Sequence, residues 1–88
     1  MSHDDIIKKF QADLKDEIQD SNVYMDMAEA AEKDGDERLM RGLYEMSKDE
    51  YTHAKFIHET LIMCGVAIPA DQTNEFKNLE KRIYWKFR

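Results

Sequence analysis

The stretch LMRGLYEMSKDEYTHAKFIHETLIMC, residues 39–64, decides the fold, because its apolar and small side chains recur at alternating steps of three and four. That spacing is typical of one face of a helix that packs in a bundle or coiled coil. The repeating positions are Leu39, Leu43, Met46, Glu50, His53, Ile57, Thr60 and Cys64. The stretch therefore predicts a long helix with one continuous buried seam, whose last member, Cys64, we expect to be a small buried hydrophobe.

The preceding part of the chain shows the same spacing. Its seam positions are Ile7, Phe10, Leu14, Glu17, Ser21, Tyr24, Ala28 and Ala31. A second apolar stripe widens each predicted buried face, with Ile18 and Met25 on the first helix and Phe56 and Met63 on the second. Between the two runs stands Asp34-Gly35-Asp36, in which Gly35 suits the left-handed position that ends a helix. The pattern predicts an antiparallel hairpin of helices over residues 4–33 and 36–64.

The C-terminal part predicts one more element. Residues 65–72 contain Pro69 and are expected to form a loop, and Asp71 or Thr73 is expected to cap a short helix over residues 74–88. Its aromatic residues Tyr84, Trp85 and Phe87 are expected to cover the hairpin or to join an oligomer contact. We therefore predict a single all-α domain over residues 1–88.

A two-helix hairpin with broad apolar faces cannot cover those faces alone. The chain has only 88 residues, and a domain of this size buries a modest share of its surface. A second copy would supply the missing cover. We therefore predict dimerisation into a four-helix bundle.

Composition excludes several classes of function. The net charge of −6 argues against a nucleic-acid or anionic-membrane partner. A single cysteine excludes an intrachain disulfide, a CxxC redox pair and a multi-cysteine zinc or iron–sulfur site. No apolar run approaches the ~18 residues of a membrane span, and the acidic start does not resemble a signal peptide. A cytoplasmic location is the expectation.

Three ionisable residues interrupt the two seams: Glu17, Glu50 and His53. A carboxylate in a bundle core costs several kcal/mol unless it is partnered or protonated. Glu17 and His53 stand equally far along the chain from Gly35, one before it and one after it, so an antiparallel hairpin places both at the same height. Glu50 and His53 are three apart in sequence and share one helix face. The three residues thus lie on the seam faces of the two helices, at one height along the hairpin, and carry side chains that can bind metal, which predicts one common site.

A two-fold dimer would bring together four carboxylates and two imidazoles, a set that suits two iron or manganese ions. Two alternatives stay open at this point. Most Glu-x-x-His pairs are simply solvated, and a cation of the third helix (Lys77, Lys81 or Arg82) would neutralise a seam glutamate without metal. His58 and His3 are expected outside the site, at the surface.

At these residues the stretch from Leu14 to Leu61 resembles the ferritin-like superfamily, in particular the rubrerythrins and the short two-helix ferritins that load into encapsulin shells. The sequence interval between Glu17 and Glu50 fits the rubrerythrin pattern. The other matching features are Tyr24, the small residues Ala28, Ala30 and Ala31, and the motif Asp49-Glu50-Tyr51-Thr52-His53-Ala54.

The resemblance implies a role for each site residue. Glu17 looks like a terminal carboxylate ligand, Glu50 like the carboxylate that bridges two metal ions, and His53 like the terminal imidazole. Tyr24 looks like the tyrosine that steadies a ligand by a hydrogen bond, although a core aromatic with a polar tip explains it equally well.

The chain also departs from the family. Full rubrerythrins carry two Glu-x-x-His helices and a cysteine-rich electron-transfer domain, whereas this chain has one such helix and one cysteine. The second half of the site would come from another chain. Residues 83–88 do not resemble an encapsulin-targeting tail. We expect two iron ions per dimer, with manganese possible, and oxidation of Fe(II) by oxygen or peroxide. Peroxide reduction with an external electron donor and a non-enzymatic helical dimerisation module are the alternatives.

Overall fold

The computed structural model describes residues 1–88 and contains three α-helices and no strand, which confirms the all-α prediction. They are α1 (His3–Lys33), α2 (Glu37–Met63) and α3 (Ala70–Phe87). α1 begins at a reciprocal cap, in which the Ser2 hydroxyl accepts from the Asp5 amide and the Asp5 carboxylate accepts from the Ser2 amide. None of the three helices is long and apolar enough to cross a membrane.

The turn between α1 and α2 follows the predicted chemistry. Gly35 has a φ of 76°, in the left-handed region that glycine adopts without a steric penalty. Asp36 then caps α2 by accepting a hydrogen bond from the Leu39 amide at 3.1 Å. The turn reverses the chain and sets the register of the hairpin.

The start of α3 differs from the prediction, since the helix begins at Ala70 and not near residue 74. Pro69 stands at the N-cap with an extended backbone (φ −53°, ψ 142°), and neither Asp71 nor Thr73 provides a side-chain cap. The fixed φ of proline is compatible with a helix start, and Asp71 in the first turn complements the helix dipole. The loop is therefore shorter than residues 65–72.

The expectation for Cys64 was also wrong: the residue is exposed. It stands at the C-cap of α2, immediately before Gly65, which has a φ of 73°. The seam spacing continues through this residue, but the helix ends there and no neighbouring element covers it.

The two long helices cross tightly at a buried pair of serines. The Ser21 hydroxyl donates to the Ser47 carbonyl at 2.7 Å, and the Ser47 hydroxyl donates to the Ser21 carbonyl at the same distance. Both side chains are fully buried. Small residues at this crossing let the two backbones approach, and the reciprocal hydrogen bonds satisfy both hydroxyl groups.

α3 covers one face of the hairpin. Its residues Phe76, Leu79 and Ile83 are buried. The core that they complete also contains Leu14, Ile18, Met25, Ala28, Ala31, Leu43, Tyr44, Ala54 and Leu61. Because α3 lies on one side only, the opposite side of the hairpin has no cover within the chain.

Apolar side chains remain exposed on that uncovered side. The seam residues Leu39 and Met46 are 52% and 44% exposed, and Met27 on α1 is 48% exposed. Phe56 and Met63, predicted to widen the buried face of α2, are 68% and 86% exposed. We call Met27, Leu39 and Met46 the open face.

Candidate metal centre

Glu17 reaches the edge of the hairpin core from the middle of α1. Its side chain is 26% exposed, but one of its oxygens, Oε2, is fully buried and has no hydrogen-bond partner. No other buried side-chain polar atom in the chain lacks a hydrogen-bond partner. A buried carboxylate oxygen without a partner costs free energy, and a cation bound at this position would offset that cost.

Glu50 and His53 face Glu17 from α2. His53 Nδ1 lies 3.7 Å from Glu17 Oε2 and 3.9 Å from Glu50 Oε1. The three side chains form the only group of histidine, cysteine, aspartate and glutamate residues in the chain with metal-ligand spacing, and their ligand atoms lie within 4.8 Å of one another. The hairpin thus brings together all three predicted ligands at the height counted from Gly35.

These distances suit ligands of a common ion better than direct hydrogen bonds. The donor and acceptor atoms of an N–H···O hydrogen bond lie at most about 3.2 Å apart, so neither histidine distance is one. Metal–ligand bonds of about 2.0–2.2 Å place two ligands of one ion about 3–4.3 Å apart. Both observed distances fall inside that range. The donor set of two carboxylates and one imidazole fits iron or manganese.

The helix α3 does not neutralise the two carboxylates. Lys77 and Lys81 form no ion pair within 4 Å, and Arg82 binds α1 residues on another side, through Asn22, Asp26 and Glu29. Asn22 lies about 140° round α1 from Glu17, so the arginine is directed away from the site. Within one chain, therefore, no lysine or arginine of α3 forms a salt bridge with Glu17 or Glu50.

The site is open on the side away from α3. The His53 side chain is 60% exposed, whereas those of Glu17 and Glu50 are 26% and 23% exposed. Three protein ligands leave the coordination shell of an ion incomplete. The open face reaches the site at Met46, one turn from Glu50, and further protein ligands would have to come from outside the chain.

The predictions for Tyr24 and His58, which are not among the three ligands, are confirmed only in part. Tyr24 packs half-buried against the core on α1, and its predicted support of a ligand stays a prediction. His58 lies outside the site as expected, but it is not simply solvated: its ring stacks on Phe76 with centroids 4.3 Å apart.

Two polar links between helices were not anticipated. The Tyr51 hydroxyl donates to the Glu80 carboxylate at 2.8 Å, and burial together with this hydrogen bond raises the pKa of Tyr51. The Tyr44 hydroxyl donates to Glu32 at 2.6 Å. Hydrogen bonds from Tyr44 and Lys86 lower the pKa of Glu32. Both links join residues far apart in the chain, and only the docking of helices brings them together.

Comparison with known proteins places this arrangement in a family. The sequence model of the rubrerythrin family matches residues 8–88, which is nearly the whole chain. A search of curated proteins and a search of solved structures returned no significant match. The chain belongs to the rubrerythrin family, within the ferritin-like superfamily, whose rubrerythrin members typically bind iron.

Proposed function

We propose that the chain is a di-iron carboxylate protein that oxidises Fe(II) with oxygen or peroxide, at a site shared by two copies. The observation that carries the proposal is the buried, unpartnered Oε2 of Glu17 beside Glu50 and His53. Two acidic side chains that lie together with no lysine or arginine within 4 Å would be stabilised by a bound cation. The iron preference of the family agrees with such a cation.

A second copy would complete the site. Two-fold symmetry doubles the three ligands to four carboxylates and two imidazoles, enough for two ions. The exposed seam residues Leu39 and Met46 would meet a second hairpin on the same face and form a four-helix bundle. One contact would thus bury the open face and supply the missing ligands.

In this dimer each ligand has a separate task. Glu17 would hold an ion from α1, His53 would hold one from α2, and Glu50 would be the carboxylate shared by the two ions. Tyr24 is placed on the same helix as Glu17 and would support a ligand through its hydroxyl. Four carboxylates would balance the formal charge of two divalent ions. Manganese is compatible with the same ligands.

The bound ions supply reversible one-electron chemistry. Oxidation of two bound Fe(II) ions to Fe(III) would supply two electrons, enough to reduce one oxygen molecule to peroxide, or one peroxide to two waters, with uptake of two protons. The chain would contribute position and charge: the carboxylates would favour the more positively charged Fe(III) state, and a second copy would cover the site and limit the access of water.

The test combines purified apo-protein with Fe(II) and oxygen and follows oxygen consumption. We expect a rapid uptake that saturates in proportion to the Fe(II) bound. The Glu50→Ala/His53→Ala variant should show only the slow rate of free iron. Glu59→Ala removes an exposed carboxylate about 180° round α2 from Glu50 and should behave like the unmodified protein. Equal rates in all three proteins would contradict the proposal.

Peroxide reduction is the second candidate, because the rubrerythrin match and the three ligands are compatible with it as well as with iron oxidation. This reaction needs an external donor to return the electrons. Steady consumption of peroxide in the presence of a chemical reductant, abolished in the double variant, would support it. A single burst limited by the added Fe(II) would favour iron oxidation.

A further inference from the structure

The outer side of α3 carries a row of cations and aromatic side chains that the hairpin does not use. Lys77, Lys81 and Tyr84 follow one another at steps of four and three, so they share one face of α3, and Arg88 follows directly after the end of the helix. Trp85 lies beside them, and all five residues are exposed. We call these five residues the α3 strip.

The cations of the α3 strip have no acidic partner. None of Lys77, Lys81 and Arg88 lies within 4 Å of a carboxylate, and Arg88 instead stands over the Trp85 ring at 4.2 Å. The other two cations of this part of α3 are paired: Arg82 binds Asp26 and Glu29, and Lys86 binds Glu32. In a chain of net charge −6, three unpaired cations on one side of α3 and at its C-terminal end form a local basic surface.

The aromatic part of the strip borders a groove. Tyr84 and Trp85 are 60% and 62% exposed and pack edge to face, with centroids 5.7 Å apart. A groove of ≈ 590 Å³ runs between α2 and α3 and is lined by Tyr51, Glu80, Lys81, Ile83 and Tyr84. Its one carboxylate, on Glu80, already accepts the Tyr51 hydrogen bond. The groove therefore offers an aromatic and aliphatic wall with a free cation at its rim.

We propose that the α3 strip is a docking surface for an acidic segment of a partner protein, whose apolar side chain enters the groove beside Tyr84. Exposed tryptophan, tyrosine and arginine are the residues that most often anchor protein interfaces. Carboxylates of the partner would pair with Lys77, Lys81 and Arg88. The strip lies on α3, on the side of the hairpin away from the metal centre, so the proposal does not depend on metal.

Charge and shape favour a protein over a polyanion. Nucleic acids and anionic membranes extend beyond three cations and would meet the acidic remainder of the chain. Screening confines attraction to about 8–10 Å at moderate salt, which suits a compact acidic segment. A phosphate backbone would also leave the apolar groove unfilled.

Trp85 is the only tryptophan of the chain, so its fluorescence reports directly on the α3 strip. The probe is the synthetic peptide acetyl-Glu-Glu-Asp-Phe-Leu-Asp-Glu-Glu-amide. Two matched peptides replace either Phe-Leu with Ser-Ser or every acidic residue with its amide. We expect the first peptide to shift the emission saturably at low salt and both matched peptides to bind more weakly.

Variants then locate the contact. Lys77→Glu/Lys81→Glu should weaken binding of the first peptide roughly tenfold or more, because attraction becomes repulsion. Lys8→Glu/Lys33→Glu changes the net charge equally on α1 and should leave binding within about twofold of the unmodified protein. An unchanged emission with the first peptide, or equal loss in both variants, would overturn the proposal. Tighter binding of an oligothymidylate or of phosphatidylglycerol vesicles would overturn it as well.

Discussion

Glu17 Oε2 lies 3.7 Å from His53 Nδ1, on the neighbouring helix, and is the one buried side-chain polar atom that makes no hydrogen bond. The separation is too long for a hydrogen bond and suits two ligands of one ion. The chain thus holds an acidic side chain in a position that costs stability without metal. Because of that cost, the metal centre can be tested by measuring stability with and without metal, without an assay of activity.

Replacement of Glu17 by glutamine should separate a metal ligand from a structural ion pair. The variant removes an uncompensated charge, so we expect the apo-protein to be as stable as before or more stable by about 1 kcal/mol, while Fe(II) binding is lost. Urea unfolding with and without Fe(II) measures both effects. Asp20→Asn, at an exposed position one turn further along α1, should change neither. Destabilisation of the Glu17 variant to the same extent with and without metal would indicate an ion pair.

The open face should control association. Met46→Asp places a charge at an exposed seam position one turn from Glu50, so we expect the dimer to dissociate and Fe(II) binding to weaken. Sedimentation equilibrium measures the association. Ile62→Asp is the matched control, because Ile62 is 57% exposed on α2 but lies about 120° from Glu50. Association that is unchanged by Met46→Asp, or lost equally in both variants, would argue against this interface.

The serine pair should hold the hairpin together independently of metal. Ser21→Ala and Ser47→Ala each remove one buried hydrogen-bond donor, so we expect each to lower the free energy of unfolding by about 0.5–1.5 kcal/mol. The double variant should lose less than the sum, because the two side chains contact each other at 3.2 Å. Urea unfolding of the apo-protein provides the measurement. Fully additive losses would show that the two hydroxyl groups act separately.

Acid should weaken the attachment of α3. Hydrogen bonds from Tyr44 and Lys86 lower the pKa of Glu32 below its ordinary 4.5. A carboxyl group with a lowered pKa in the folded state stabilises the fold above its unfolded pKa, and that contribution disappears as the pH falls through the folded value. We expect Glu32→Gln to lower the melting temperature at pH 7, and the difference between the two proteins to shrink as the pH falls below 4.5. A difference that does not shrink on acidification would contradict the assignment.

Much of the fold and the predicted ligand cluster follow from spacing in the sequence. The seams depend on local helix periodicity, and equal distances of Glu17 and His53 from Gly35 are enough to set their common height. The face that α3 occupies depends on contacts such as Arg82 with Asp26, which no local pattern encodes. For the same reason the sequence did not reveal that Phe56 would stay exposed or that Tyr51 would bind Glu80. The start of α3 was misplaced because Asp71 and Thr73 resemble caps, whereas the helix begins directly after Pro69.

The central claim is that two copies together bind two ions, and anaerobic native mass spectrometry of a Fe(II) titration tests it most directly. This measurement resolves the number of irons on each oligomer separately. We predict that iron appears on the dimer, in a state with two ions that dominates at saturation, and that the Glu50→Ala/His53→Ala variant remains free of iron. Iron bound mainly to the monomer, or dimers saturated with iron in the variant, would contradict the account.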